Sequence, residues 1–166
     1  SLAPGIKDLI GARGKSMSDL DCIAVAQGPG SFTGLRVGIT TAKMLAYSLD
    51  INVIGVNTLD AMALGVLQRT EQAPTRIDCV LDAQRQEVFI GRYERTGDST
   101  LLRADPIQTV SIESWLNQLD SGVFVAGDLL KKLQARDNSV LEDICWENSE
   151  ASAVDDCNVP SAQWIG

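Results

Sequence analysis

The spacing of apolar and polar residues predicts alternating helices and strands in the first half of the chain. Short, nearly continuous apolar runs are typical of buried strands, whereas apolar residues at helical spacing indicate helices. Thr58 is a good N-cap for the last helix of this half. Such alternation indicates an α/β fold with a parallel sheet. The predicted elements are a helix end at 1–14, a strand at 22–26, a helix at 32–49, a strand at 52–56 and a helix at 59–68.

The second half has a different pattern, with more strands and polar turns. A polar segment at 69–76 that contains Pro74 is the predicted boundary, so we expect a first lobe at 1–70 and a second lobe at 77–166. The acidic residues 137–157 predict no element, and a further helix begins near 160. The predicted elements are strands at 77–82, 88–93, 107–110 and 123–126 and helices at 113–119 and 129–136.

A glycine-rich segment joins the first strand directly to the second helix. It has the sequence GPGSFTGLRVG at 28–38. Pro29-Gly30 suits a turn with proline at its second position and a left-handed glycine at its third, and Ser31 can cap the helix. A strand, a tight turn and a helix in succession expose backbone N–H groups to a phosphate or to a partner.

Known nucleotide-binding loops do not match this segment. A Walker A loop requires lysine and a hydroxyl after its last glycine, but Leu35 follows Gly34 here. The dinucleotide pattern fails at Thr33. An anion-facing or nucleotide-facing role therefore rests on helix-terminus physics alone. The loop residues concerned are Gly28, Pro29, Gly30, Ser31 and Thr33.

The helix at 32–49 is the strongest candidate for a protein interface. Arg36 and Lys43 are its only charged residues, so it is expected to bury more than one face. Four small residues spaced by four form one column and allow another backbone to approach closely, namely Gly34, Gly38, Ala42 and Ala46. Either helices of the same chain cover this surface or a partner subunit does, and Gly38→Leu is expected to separate the two alternatives. The interface residues predicted are Phe32, Gly34, Leu35, Gly38, Ile39, Ala42, Leu45 and Ala46.

Composition excludes several functional classes. The net charge of the 166 residues is −8, with 14 Lys and Arg against 22 Asp and Glu, so the chain is not expected to hold nucleic acid by itself. No histidine is present, which excludes histidine-dependent triads and zinc sites within the chain. The four cysteines lack C-x-x-C spacing, which suits a reducing cytosol. We expect Cys22 and Cys79 to be buried and unreactive.

Other polar residues are weaker candidates for a catalytic or metal-binding role. Asp82, Arg85 and Glu87 lie in or beside the turn of a probable hairpin, and a solvated turn is favoured over an acid–base cluster. Asp128 is expected to cap the helix that follows it. Asp155-Asp156 lacks the further ligands of a metal site, and the three tryptophans are expected to be packing residues. The sequence thus predicts no catalytic residue and no metal site.

The glycine-rich segment resembles the signature of the TsaB (YeaZ) family, a partner in the synthesis of threonylcarbamoyladenosine in tRNA. Three further blocks extend the resemblance over the first half of the chain, and fragments such as Ala126-Gly127-Asp128 continue it. Measured against this family, the chain looks truncated at both ends. The three blocks are SDLDCIAV at 18–25, IGVNTLDA at 54–61 and LDAQRQEVF at 81–89.

The resemblance implies an actin-like ATPase (ASKHA) superfamily fold with two lobes, the first lacking its opening strands. It implies a non-catalytic scaffold or activator subunit that pairs with a TsaD-type catalytic subunit, which installs threonylcarbamoyl on a tRNA adenosine next to the anticodon. A TsaE-type ATPase would join the assembly, and the chain alone would form a homodimer. tRNA would be held only through the complex, and ATP or ADP would bind at that level and not to this chain alone.

Two other functions remain open at this stage. One is an ATP-dependent enzyme of the actin and sugar-kinase superfamily, which would need phosphate-binding strands that this sequence does not contain. The other is a peptidase-like homodimeric binding module without a role in tRNA modification. The absence of a long apolar run predicts no membrane span, and we expect a cytoplasmic location.

Overall fold

The structure is a computed structural model that describes residues 2–69, 74–97, 100–120 and 122–136. The described residues belong to two compact units, the first ending at Asn57 and the second beginning at Thr58. The elements of unit 1 are α1 (Leu2–Ala12), a short 3₁₀ helix (Met17–Asp19), β1 (Cys22–Gly28), α2 (Phe32–Leu49) and β2 (Asn52–Asn57). Unit 2 contains α3 (Thr58–Arg69), β3 (Arg76–Gln84), β4 (Glu87–Arg95), β5 (Leu101–Arg103), β6 (Gln108–Ser111), α4 (Ile112–Asn117), β7 (Phe124–Ala126) and α5 (Leu129–Arg136).

Unit 1 is a parallel strand–helix–strand arrangement. Strands β1 and β2 pair in parallel from Cys22 opposite Asn52 onward, and α2 packs on both strands. Within residues 2–57, the buried apolar residues are Ala42 and Ala46, both on α2. The prediction that both strands are buried is wrong for the described residues, because α2 covers one face of a two-stranded sheet and several strand residues remain exposed.

Unit 2 is built on a mixed sheet with the strand order β5-β4-β3-β7, and β6 also pairs with β4. Strands β3 and β4 form an antiparallel hairpin, whereas β7 runs parallel to β3. Helix α3 contributes Leu59, Met62 and Val66 to one core cluster with this sheet. A second cluster surrounds Trp115 of α4, which is fully buried. The sheet therefore lies between two apolar clusters.

Most predicted elements are present at their expected positions. Helix α2 has the predicted bounds, and so does α5. Strand β5 was not predicted, because its three residues are too few to show a pattern. Cys79 is buried as expected, but Cys22 is exposed, since it begins a strand that is covered on one face only. Cys145, Cys157 and the pattern of 137–157 lie outside the described residues.

Helix α3 belongs with unit 2 although the predicted first lobe at 1–70 includes it. Its buried side chains pack against β3, β4, β5 and β7, and this places the change of unit at Thr58, before the polar 69–76 segment. The division into lobes at 1–70 and 77–166 stays a prediction. No described helix is both long enough and apolar enough to cross a membrane.

Candidate partner interface on helix α2

The glycine-rich segment connects β1 to α2 through two glycines with positive φ. Gly28 has φ 110° and Gly30 has φ 154°, and the Gly28–Pro29 peptide bond is cis. The predicted positive φ at Gly30 is confirmed, but its value lies far from the left-handed helical region near 80° that the predicted turn requires. A side chain at Gly28 would also meet Leu35, because its Cβ would lie 3.2 Å from the Leu35 Cδ1 atom. Glycine is therefore required at both positions.

Ser31 caps α2 as predicted. Its Oγ atom accepts a hydrogen bond from the Gly34 backbone N–H at 3.3 Å, and its carbonyl accepts one from Leu35 at 2.8 Å. The first turn of α2 thus satisfies a donor that an anion would otherwise use. Thr33 and Gly30 are exposed beside it. An anion or nucleotide at this loop stays a prediction.

The predicted column of small residues faces the sheet of unit 1. A Cβ at Gly38 would lie 3.8 Å from the Val25 Cγ2 atom of β1, and Ala42 and Ala46 are buried. Gly34 lies beside Ser31 at the exposed start of the column. The column therefore lets α2 approach its own strand closely. Leu35, Ile39 and Leu45 are half-buried, and Phe32 is exposed.

The opposite side of α2 carries large apolar side chains in solvent. Phe32 is 73% exposed, Met44 66% and Tyr47 91%. At 100° per residue, these positions fall within one broad stripe of the helix. We call this stripe the outer face of α2. Its residues are Phe32, Thr33, Arg36, Val37, Thr40, Lys43, Met44 and Tyr47.

A shallow groove runs along the outer face. It has a volume of about 360 Å³ and is lined by Thr33, Arg36, Val37, Thr40 and Thr41. The Arg36 guanidinium lies 5.4 Å from the centroid of the Phe32 ring, in the range of a cation–π contact. Arg36 and Lys43 give the helix two positive charges in a chain of net charge −8. The outer face is therefore apolar with a basic edge.

The polar groups of the β3–β4 hairpin form a second cluster. Asp82 binds Lys132 of α5, with 2.8 Å between Oδ2 and Nζ, and its backbone N–H donates to the Asp128 Oδ1 atom at 3.4 Å. Asp128 therefore bonds across to β3, a role that the prediction of a helix cap did not include. Arg85 and Glu87 are exposed and no acid–base pair joins them. Asp155, Asp156, Trp146 and Trp164 lie outside the described residues.

Two buried polar groups had no sequence signal. Tyr93 donates to Asp60 of α3 at 2.7 Å, and burial together with this bond raises the pKa of the phenol far above its usual range. Its ring lies over Gly91, where a Cβ would be 2.9 Å from the ring. Asp78 accepts from the Trp115 indole N–H at 3.4 Å, and burial raises the pKa of that carboxyl. Both contacts join residues more than thirty positions apart, so only the fold reveals them.

The predicted absence of a metal site concerns the whole chain. Among the residues that the structure describes, no group of three or more His, Cys, Asp or Glu side chains could hold a metal ion. The Thr58 hydroxyl, predicted to cap α3, is buried and has no hydrogen-bond partner among the described residues. This cap was therefore predicted wrongly, because α3 begins at Thr58 itself.

Comparison with known proteins gives consistent results. The profile of the family described as "TsaD: tRNA N6-adenosine threonylcarbamoyltransferase" matches residues 1–153. The tRNA threonylcarbamoyladenosine biosynthesis protein TsaB of Escherichia coli is 37% identical over 57% of this chain and 40% of its own length. The TsaB protein of Bacillus subtilis is 35% identical over 70% of this chain and 48% of its own length. The chain thus spans less than half the length of these two relatives.

A transferase and a solved structure are also similar. The tRNA N6-adenosine threonylcarbamoyltransferase of Geotalea uraniireducens is 43% identical over 57% of this chain and 29% of its own length. A Pseudomonas aeruginosa protein with similarity to the peptidase YeaZ superposes with a TM-score of 0.68 at 29% identity, over 80% of this chain and 62% of the other. These similarities confirm the predicted α/β class and actin-like ATPase fold. The chain belongs to the TsaD-related family of tRNA threonylcarbamoyladenosine proteins, within its TsaB (YeaZ) group.

Proposed function

We propose that this chain serves as a non-catalytic partner subunit in tRNA threonylcarbamoyladenosine biosynthesis and pairs with a TsaD-type catalytic subunit through the outer face of α2. The exposure of large apolar residues on one face of α2 carries the proposal. Met44 and Tyr47 are two-thirds and nine-tenths exposed on a helix whose other side packs on its own sheet. Large apolar surface left in solvent marks a site of protein association.

The basic edge of the same face supports a partner with acidic groups. Arg36 is exposed beside the groove, and α2 contains no acidic residue. Charges at the rim of an interface speed encounter and fix its register more than they raise affinity. A partner helix with apolar residues and carboxylates would therefore fit here.

The predicted interface residues need one revision within this proposal. Gly38, Ala42 and Ala46 pack toward the sheet of the same unit, so Gly38→Leu would disturb that packing before it reached a partner. Substitution of Met44 tests the interface with less of this complication, because the residue is two-thirds exposed. We propose that the homodimer formed by the chain alone uses the same face.

The remaining features of the assembly are part of the same proposal. A TsaE-type ATPase joins the complex, ATP or ADP binds at the level of the complex, and tRNA is held by the other subunits. The net charge of −8 argues against direct tRNA binding by this chain. The assembly is cytoplasmic, which agrees with cysteines that lack a disulfide pattern.

The test mixes the full-length protein with the purified TsaD-type subunit of the same organism and measures complex mass by size exclusion with light scattering. Met44→Asp is expected to weaken the heterodimer by more than about tenfold, because a charge would be buried without a partner. Leu102→Asp is the matched control, since Leu102 of β5 in unit 2 is also exposed, at 58%. Equal effects of the two substitutions, or no heterodimer at all, would refute the proposed interface.

A second candidate is favoured by the 43% identity to a transferase. In that case the full-length protein would transfer the threonylcarbamoyl group itself. The same preparations distinguish the two functions. Modified tRNA formed by this protein without the TsaD-type subunit supports the transferase, whereas modification that requires both proteins supports the partner subunit.

A further inference from the structure

A small cavity lies at the tip of the β3–β4 hairpin, within unit 2, and shares no residue with the outer face of α2. Its volume is about 150 Å³, equal to about five waters at the density of the liquid. Charged and polar residues of the hairpin form one wall, and apolar residues of α4 and α5 form the other. The lining residues are Asp82, Gln84, Arg85, Gln86, Ile112, Leu129, Lys132 and Leu133.

The hairpin tip has a backbone conformation that its residues rarely adopt. Gln84, Arg85 and Gln86 have φ values of 68°, 53° and 66°. Each left-handed residue of this type costs about 1–2 kcal/mol relative to glycine or a right-handed conformation. The surrounding structure must therefore hold the tip in place.

Bonds at both ends of the tip supply this restraint. The Asp82 Oδ1 atom accepts from the Gln84 backbone N–H at 2.7 Å, and the Gln86 carbonyl accepts from the Ile112 N–H at 2.9 Å. These contacts restrain the backbone on both sides of Arg85, whose side chain lines the cavity. A backbone that is held in position before binding loses little freedom when a ligand arrives.

Helix α5 is held against the same end of β3 by a close backbone contact. Gly127, just before α5, has φ 150°, and a Cβ there would lie 1.8 Å from the Val80 carbonyl oxygen. This contact requires glycine, and Lys132 of α5 lies 2.8 Å from Asp82. Contacts within unit 2 therefore restrain the second wall as well.

The charged residues that line the cavity favour an anionic ligand. Asp82, Arg85 and Lys132 sum to one positive charge in a chain of net charge −8. Lys132 is engaged with Asp82, whereas the Arg85 guanidinium makes no hydrogen bond or ion pair with the described residues. A planar guanidinium matches a carboxylate, which it can bind through two parallel hydrogen bonds.

Nearby carboxylates limit the charge of that ligand. Asp82 lines the cavity, and Asp128 lies 4.0 Å from Lys132, so a doubly charged phosphate would have two carboxylates nearby. Ile112, Leu129 and Leu133 offer contact to a short apolar chain. We propose that this cavity binds a small monocarboxylic acid, with its carboxylate on Arg85 and Lys132 and its hydrocarbon chain on the apolar wall.

The test titrates the protein with sodium butyrate at constant ionic strength and follows backbone amide shifts by NMR. Binding with a dissociation constant of roughly millimolar order is expected, as for a ligand of about six heavy atoms, with the largest shifts at 84–86 and Ile112. Butyramide, which has the same shape without the charge, is expected not to bind. No binding of butyrate, or shifts outside the hairpin and α5, would overturn the proposal.

Variants then locate the carboxylate. Arg85→Asn is expected to weaken butyrate binding by about tenfold or more, since asparagine tolerates positive φ but carries no charge. Arg13→Asn is the matched control, because Arg13 is exposed in unit 1, and it is expected to change binding by less than about twofold. Should Arg85→Asn fail to fold, Lys132→Gln gives the same comparison.

Two results would count against the assigned ligand or its position. Equal affinity in Arg85→Asn and wild type would overturn the placement of the carboxylate on Arg85. Inorganic phosphate binding more tightly than butyrate at the same amides would show that the ligand class is wrong. Because the cavity lies in unit 2 and the assay contains no partner, its failure would leave the pairing through α2 unaffected.

Discussion

The two units of this chain bury apolar surface very differently. Unit 2 packs two clusters of large side chains against its sheet, with Trp115 and Leu59 fully buried. Among the described residues of unit 1, the buried apolar side chains are those of Ala42 and Ala46. Helix α2 is also rich in apolar residues, but Phe32, Met44 and Tyr47 are exposed to solvent. Unit 2 therefore uses its apolar residues for its own stability, whereas unit 1 leaves several large ones exposed to solvent.

The largest effect that distinguishes the units is expected from Trp115→Ala. It removes a fully buried indole and the hydrogen bond to Asp78, so the free energy of unfolding should fall by about 3–5 kcal/mol. Tyr47→Ala, at a position that is 91% exposed, is expected to change it by less than about 0.5 kcal/mol. Urea unfolding measures both. A similar loss in the two variants would show that Tyr47 is covered in the isolated protein.

An intermediate effect is expected from placing alanine at a glycine of each unit. Gly127→Ala would force a Cβ against the Val80 carbonyl, so we expect the free energy of unfolding to fall by about 1–3 kcal/mol. Gly38→Ala has room for its Cβ beside Val25 and lies within a helix, where alanine is favoured by up to about 1 kcal/mol. Hydrogen exchange assigns each change to its unit. A loss of stability at Gly38→Ala would contradict the space observed between Gly38 and Val25.

The smallest effect concerns pH, and the two units should respond with opposite sign. Burial raises the pKa of Asp78 in unit 2 above its ordinary value of 3.8, so the folded state binds this proton more tightly than the unfolded state. The stability that Asp78 contributes is therefore complete below pH 3.8 and is lost as the pH rises through the folded pKa. As the pH rises from 3.8 through the folded pKa, the free energy of unfolding of the wild type should fall relative to that of Asp78→Asn.

Asp19 in unit 1 supplies the opposite case. Hydrogen bonds from the backbone N–H and then the hydroxyl of Ser16 lower the pKa of its carboxyl. Its contribution is present above pH 3.8 and is lost as the pH falls through the folded pKa. Urea unfolding of wild type, Asp78→Asn and Asp19→Asn from pH 3 to 7 measures both slopes. Parallel slopes for the two variants would contradict this assignment.

The fold could be predicted from the sequence wherever a long element carried its own local signals. Helix α2 was predicted to the residue, because Ser31 caps it and its apolar residues recur at helical spacing. Strand β5 has three residues and gave no such signal. The exposure of Cys22 also escaped prediction, since an apolar run shows that a strand exists but not how many of its faces are covered.

The candidate sites were less predictable, because they depend on contacts between elements that are distant in the sequence. The small-residue column of α2 was visible in the sequence, but whether it faces a strand or a partner depends on which element lies against it. The cavity beside Arg85 requires α4 and α5 to meet the hairpin, and these elements follow it by more than 25 positions. Local spacing carries no information about such encounters, so the sequence alone favoured a solvated turn.

The hairpin tip also lowers the stability of unit 2. Glycine or asparagine at Gln84, Arg85 or Gln86 would adopt the observed backbone at lower cost, and the substitution is a single-residue change. The chain has three long polar side chains in succession there. Each of them therefore costs unit 2 about 1–2 kcal/mol of stability that glycine at the same position would restore.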